Sequence, residues 1–240
     1  MSATDPLDSP RFGDAYEDFD PVAQAKKPEE APSGVGRPFA TIMTSPRRTF
    51  RRILASDPAY RVAPLSMLSG VDNALDRAAG KNLGDRISTS AILAMAVLLG
   101  PLGGVIGVYF LGWLFSWSGR RLGGAADSRS VRAAIAWAQA PIVLALLIWA
   151  VQLAVFGGEM FTKETPRLDA DRGLLLLYAA TMILDLVLGV WMFVLLLKCL
   201  GEAHGFSAWR ALGAILLGGL AMALPILLLV FGLAALTRTG

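Results

Sequence analysis

Long apolar runs constrain this chain more than any other feature of its sequence. They extend over residues 88–118, 133–156, 173–200 and 208–236. A run of about 18 or more residues with few charges is long enough to cross a bilayer as a helix. Only 17% of the residues are charged, whereas soluble domains carry roughly 25%. The sequence therefore predicts an all-α, polytopic membrane protein.

A fifth and weaker span is predicted at about residues 58–80. Its apolar run stops near Val71 and is followed by polar residues. Because a run this short does not cross a bilayer alone, the segment is expected to cross together with the stronger run at 88–118.

The arginines set the number of crossings. They form two clusters at predicted membrane boundaries, one in residues 45–61 and one in the loop 119–132: Arg47, Arg48, Arg51, Arg52 and Arg61, and Arg120, Arg121, Arg129 and Arg132. Arginine and lysine accumulate on the cytoplasmic side, so both clusters are expected there. An even number of crossings must separate them, which requires 58–80 to cross. Residues 38–240 are thus predicted to form a membrane domain of about five transmembrane helices with a cytoplasmic N-terminus.

The N-terminal residues 1–37 have a different composition. They are rich in Asp, Glu, Pro, Ser and Gly and contain too few apolar residues to bury a core, which predicts a disordered acidic tail on the cytoplasmic side. Within it, residues 11–20 alternate aromatic and acidic side chains. This segment is either a docking motif for a protein partner or solvated chain.

A basic amphipathic helix is predicted at residues 45–57. Ser45-Pro46 is typical of a helix start. Phe50, Ile53 and Leu54 then fall on one face, and four arginines lie on the other: Arg47, Arg48, Arg51 and Arg52. Such a helix is expected to lie in the headgroup layer, where its arginines attract anionic lipid headgroups.

One carboxylate falls in the middle of a predicted span. Asp185 is flanked by apolar residues on both sides, and a charged side chain at that depth costs roughly 2.5 to 3.5 kcal/mol. It either belongs to a proton or cation path or joins helices through a hydrogen bond. The available partners are Gln139, Gln152 and Asn73.

A second polar group follows the weak span. Asp72 and Asp76 share one helical face, with Asn73 between them and Arg77 next to Asp76. These residues form a polar entrance, pair with Asp185 through Arg77, or mark the outer membrane boundary of a short helix.

Gly103 and Gly107 are spaced four residues apart in an apolar span. Small residues at this spacing let a neighbouring helix approach closely. The neighbour is either another helix of the same chain or a second copy in a homo-oligomer.

The chain offers little for catalysis or for a metal or cofactor. Cys199 is its only cysteine and His204 its only histidine, and two such side chains without nearby carboxylates are not a metal site. No P-loop, G-x-S-x-G or H-E-x-x-H motif occurs. The basic residues follow membrane boundaries, which argues against a nucleic-acid partner. We therefore expect no catalytic residues, no metal and no cofactor.

Five short motifs resemble the bacterial branch of the Yip-one domain family. They occur in order across roughly residues 38–235: SPRRTF at 45–50, GPLGG at 100–104, GRRLGG at 119–124, AWAQAP at 136–141 and GFSAWRAL at 205–212. The resemblance implies five transmembrane helices and a cytoplasmic N-terminus, in agreement with the charge argument, and a location in the bacterial cytoplasmic membrane. The link of eukaryotic relatives to Rab-type GTPases is not carried over, because the Tyr-Gly and Pro-Tyr signatures are absent.

Two hypotheses about function follow. The first is a non-enzymatic membrane protein that organises partner proteins or the bilayer through its tail and basic helix. The alternative is a small transporter or channel component that uses Asp185. A transporter should gather several polar residues at midmembrane depth, often beside broken helices.

Overall fold

The computed structural model describes the backbone of residues 37–239 and the side chains of residues 38–231. The predicted disordered tail lies outside this range, apart from Arg37. The described part of the chain consists of helices and connecting segments, without strands, and its α-helices are α1 Arg37–Thr44, α2 Pro46–Ser56, α3 Val62–Gly80, α4 Thr89–Arg121, α5 Ser128–Ala138, α6 Ile142–Phe156, α7 Pro166–Ala170, α8 Arg172–His204 and α9 Ala208–Thr239.

Four of the described segments are long and apolar enough to cross a membrane: Thr89–Arg121, Ile142–Phe161, Arg172–His204 and Ala208–Phe231. Their most apolar stretches are largely uncovered by protein, down to 6% buried in the α8 segment. Apolar side chains that no protein covers need a non-aqueous neighbour, which a bilayer supplies. This confirms the prediction of a polytopic helical membrane protein.

Helix α3 is not one of these four segments, but it connects the same two ends of the bundle. Next to its start, the indole N–H of Trp137 donates to the carbonyl oxygen of Tyr60 at 3.0 Å. Beyond its far end, the carboxylate of Asp85 accepts the amide N–H of Lys163 at 3.3 Å. Its 19 residues span about 28 Å, close to the roughly 30 Å of a hydrocarbon core. The predicted crossing of 58–80 is therefore geometrically feasible and stays a prediction.

The span predicted at 133–156 is two helices. Helix α5 ends at Ala138 and α6 begins at Ile142, because Pro141 lacks an N–H and its ring obstructs a continuous helix. The sequence concealed this break because residues 133–138, the second half of α5, are uniformly apolar like α6. The structure buries these residues, and α5 packs among α2, α3, α4 and α8. Only α6 and the turn after it form the apolar crossing segment.

Helices α4 and α8 are longer than a membrane requires. Each has 33 residues and is about 50 Å long, roughly 20 Å more than a hydrocarbon core. Their C-terminal turns are buried in protein instead, as shown by Phe115 on α4 and Leu200 on α8. Together with α1, α2, α5 and the start of α9, these turns form the main hydrophobic core. We call this part of the molecule the basic end.

Candidate functional site

The predicted basic helix at 45–57 is confirmed as α2, but its apolar face contacts protein. Phe50 and Ile53 are 0% and 1% exposed and belong to the same core as α5 and the end of α8. The adjacent helices therefore cover these two side chains, and the expected contact of the arginine face with the headgroup layer stays a prediction. The four arginines, Arg47, Arg48, Arg51 and Arg52, are exposed.

Two ion pairs join the segment that contains α2 to other parts of the basic end. The Arg51 side chain donates to Glu202 on α8 at 2.6 Å, and this hydrogen bond and charge raise the pKa of the guanidinium. Asp57 accepts a hydrogen bond from Arg129 at 3.2 Å. Because exposed ion pairs are screened by water, we attribute the docking of α2 mainly to its buried apolar side chains.

Positive charge is concentrated at the basic end. Among the described side chains this end has three acids, Asp57, Asp127 and Glu202, and eleven basic residues: Arg47, Arg48, Arg51, Arg52, Arg61, Arg120, Arg121, Arg129, Arg132, Lys198 and Arg210. The opposite end has six basic residues among a similar number of acids. An exposed tryptophan, Trp209, begins α9 beside Arg210 and is 80% exposed, as expected of an aromatic residue at a membrane boundary.

His204 joins three segments of the basic end. It is 3% exposed, its Nδ1 accepts the N–H of Ala126 at 3.4 Å, and its Nε2 lies 3.2 Å from the carbonyl oxygen of Phe115. Neutral imidazole with a proton on Nε2 satisfies both contacts. A side chain at Gly119 or Gly124 would overlap the ring, which gives a packing reason for the GRRLGG motif.

The sequence pattern did not predict this role of His204. The two glycines that contact its ring, Gly119 and Gly124, lie in the GRRLGG motif. Metal binding by His204 and Cys199 was not expected. In residues 38–231, no group of three His, Cys, Asp or Glu side chains could hold a metal ion.

The opposite half of the bundle contains a cavity of about 690 Å³ that we call the acidic cavity. It extends from the middle of α8 to residues 159–169, and five carboxylates line it: Asp72, Asp76, Glu159, Asp169 and Asp185. The sequence singled out three of them, Asp72, Asp76 and Asp185. Residues of α3, α6 and α8 line it together. The structure thus places these three predicted residues around one cavity.

The hydrogen-bond partner of Asp185 is one of the three candidates from the sequence. The Gln152 amide donates to Asp185 at 3.0 Å, and the Trp149 indole N–H donates to Asp76 at 3.2 Å. Asp72 is 8% exposed and lacks a hydrogen-bond or ion-pair partner among the described residues. Asp72 and Asp76 thus line the same cavity as Asp185, and the polar entrance stays a prediction.

Asn73, Arg77 and Gln139 lie elsewhere. They line a separate groove of about 410 Å³ between α3 and α4, and the Asn73 amide donates to the Ser69 carbonyl oxygen at 2.7 Å. A bridge from Arg77 to Asp185 is therefore absent from the described contacts. The sequence could not separate these residues, because Asn73 and Asp72 are neighbours in the chain but point to different sides of α3.

The close approach of α3 and α4 uses other glycines than the predicted pair. A Cβ atom on Gly70 would overlap the backbone at Gly100, and one on Gly104 would overlap the carbonyl oxygen of Ser66. Gly103 and Gly107 have open space at that position among the described residues. They line the groove instead, so contact with a second copy stays a prediction.

These features define a class of protein: a polytopic helical membrane protein with a basic end and an acidic cavity in the opposite half. The family model for the Yip1 domain matches residues 40–236. The chain belongs to the Yip1 domain family, as the motifs indicated. A search of curated proteins and a search of solved structures found no match.

Proposed function

We propose that this Yip1 family protein organises the cytoplasmic surface of a bacterial inner membrane without acting as an enzyme. In this proposal the basic end faces the cytoplasm and gathers anionic lipid headgroups. The acidic N-terminal segment is available to a protein partner. The proposal assigns no catalytic residue, metal or cofactor to the protein.

The docking of α2 is the observation that carries this proposal. Phe50 and Ile53 are buried in the core, so the helix is held to the bundle and its arginines form part of a fixed basic surface. Each basic residue near an anionic bilayer contributes about 1 kcal/mol of attraction, which decreases as salt rises. A fixed surface also loses less conformational entropy on binding than a mobile one.

Lipid preference in the full-length protein tests the proposal. The protein is purified in mild detergent and titrated with phosphatidylglycerol or phosphatidylcholine, and bound lipids are counted by native mass spectrometry. We expect a preference for phosphatidylglycerol that falls about fivefold for each of Arg47→Gln and Arg48→Gln at low salt. The control carries Arg86→Gln and Arg167→Gln, two exposed arginines at the opposite end, and should keep the preference. Equal loss in both double variants would contradict the proposal.

The protein-partner part has its own test. The full chain and a variant that lacks residues 1–37 are purified from their native membrane and compared by quantitative mass spectrometry. A stoichiometric protein that is retained only by the full chain supports a partner for the tail. Identical profiles would remove the tail from the proposal.

One observation favours the alternative of a transporter or channel component, namely the acidic cavity that contains Asp185. The break between α5 and α6 also fits a broken helix, although Pro141 lies outside the residues that line the cavity. Reconstituted protein that conducts a proton or ion flux, abolished by Asp185→Asn without loss of folding, would establish this alternative.

A further inference from the structure

We propose that the acidic cavity binds organic cations that carry a primary ammonium group. This inference is independent of the basic end, since it depends on side chains in the opposite half of the bundle. It would hold whether or not the protein moves its ligand across the membrane.

Asp72 is the first observation that points to a ligand. Its side chain lines the acidic cavity, the residue is only 8% exposed, and no described residue donates a hydrogen bond to it or pairs with it. No fully buried side-chain oxygen of the described residues lacks a hydrogen-bond partner, so the carboxylate oxygens of Asp72 open onto the cavity, where a ligand can supply the donors that the protein does not. The cavity is the side from which a donor can reach it.

The neighbouring carboxylates make the cavity more negative and so favour a positively charged ligand. Asp76 and Asp185 each accept one hydrogen bond from a neutral group, the indole of Trp149 and the amide of Gln152. Among the described residues that line the cavity, the one cationic side chain is the exposed Lys163. No ion pair joins it to the three carboxylates. With Glu159 and Asp169, five carboxylates line the cavity against this one cation. Such an excess of acids attracts a cation, or the acids must take up protons.

The size and lining of the cavity favour an organic cation over a bare metal ion. Its volume of about 690 Å³ lies within the roughly 300 to 1,000 Å³ typical of sites for small organic molecules. The described acids are not grouped closely enough to hold a metal together. Met182 and Met192 supply an apolar and adaptable part of the wall.

Two aromatic rings in the wall suit the same ligand class. Trp149 stacks on Phe161 with ring centroids 5.8 Å apart, and Tyr178 meets the edge of Phe156 at 5.6 Å. Both Trp149 and Tyr178 line the cavity, and aromatic rings attract ammonium groups. A primary ammonium also offers three N–H donors, which match the unbonded oxygens of Asp72 better than a quaternary ammonium would.

Direct binding measurements on the full-length protein test the inference. Isothermal titration in nanodiscs uses butylamine and putrescine as probes, with 1,4-butanediol as the neutral analogue of putrescine. We expect saturable binding of the amines and none of the diol. Asp72→Asn keeps the size of the side chain and should weaken amine binding about tenfold or more. Glu164→Gln is the matched control, because Glu164 is an exposed acid on the same side that does not line the cavity.

A second measurement on the unmodified protein covers the case in which Asp72→Asn does not fold. A hydrophobic carbodiimide labels buried carboxyl groups, and the labelled positions are mapped by peptide mass spectrometry. Because a primary amine attacks a carbodiimide-activated carboxyl to form an amide and release the urea, bound putrescine should replace the carbodiimide adduct at Asp72 and Asp185 with a putrescine amide, and the effect should saturate. The diol should leave the carbodiimide adduct unchanged. Absence of saturable amine binding, equal binding by folded Asp72→Asn, or equal labelling with and without putrescine would each overturn the inference.

Discussion

The contact between α3 and α4 makes a sharp prediction about two adjacent glycines. Gly104 faces α3, and a Cβ atom there would overlap the carbonyl oxygen of Ser66. Gly103, one residue earlier on the same helix, has open space at the same position within the described structure. Alanine at the two positions therefore changes helix propensity equally but changes packing at only one of them.

The expected changes in the free energy of unfolding have opposite signs in the two variants. Alanine at Gly104 cannot fit unless the two backbones separate, because the overlapping atom is a backbone oxygen rather than a flexible side-chain end. Overpacking of this kind costs about 1 to 3 kcal/mol, and the gain in helix propensity offsets up to about 1 kcal/mol of it. Gly103→Ala should show only the gain in helix propensity, without the packing cost. The two variants should therefore differ by about 1 to 3 kcal/mol in the free energy of unfolding.

Denaturation of the purified protein measures this difference. Both variants are titrated with a denaturing detergent in mixed micelles, and unfolding is followed by helical circular dichroism and by labelling of the buried thiol of Cys199. Gly104→Ala should unfold at lower denaturant than the wild type, and Gly103→Ala should not. Equal stability of the two variants, or a larger loss at Gly103, would refute the assigned helix contact.

Two further predictions concern single carboxylates. Asp185→Asn should fold like the wild type because it can still bond to Gln152, whereas Asp185→Leu should lose about 0.6 to 2 kcal/mol of stability, measured by the same titration. Asp127 accepts the N–H of Ser130 at 2.9 Å at the start of α5, and hydrogen bonds from the side chain and then the backbone of Ser130 lower the pKa of its carboxyl. The charged form is therefore the stabilising one, so Asp127→Ala should cost about 1 kcal/mol at neutral pH. This difference should shrink as the pH falls through the folded-state pKa; an unchanged difference would contradict the capping role.

The membrane fold could be predicted from the sequence because its main signal is local. Apolar runs show which segments avoid water, and the two arginine clusters indicate how many crossings lie between them. The break before Ile142 was missed because the end of α5 and the whole of α6 are both apolar. Protein surrounds the end of α5, whereas α6 forms part of the apolar crossing segment. A hydropathy pattern cannot distinguish these two surroundings.

The site was predictable only as a list of residues. Asp185 stood out because an acid within an apolar span is costly, and Gln152 was among its candidate partners. The grouping of Asp72, Asp76 and Asp185 around one cavity depends on how α3 and α8 each pack against α6, and that packing depends on contacts far apart in the sequence. The role of His204 depends equally on distant partners, Ala126 and Phe115.

Sidedness is the claim on which the proposed function depends most directly, because the basic end must face the cytoplasm. Single cysteines at the exposed positions Ala125 and Glu164 are introduced into a Cys199→Ser background and labelled in intact cells with a membrane-impermeant maleimide. The cysteine at Glu164 should react from outside, and the one at Ala125 should react only after the membrane is permeabilised. Labelling of the Ala125 position in intact cells, with the Glu164 position protected, would contradict the proposed orientation.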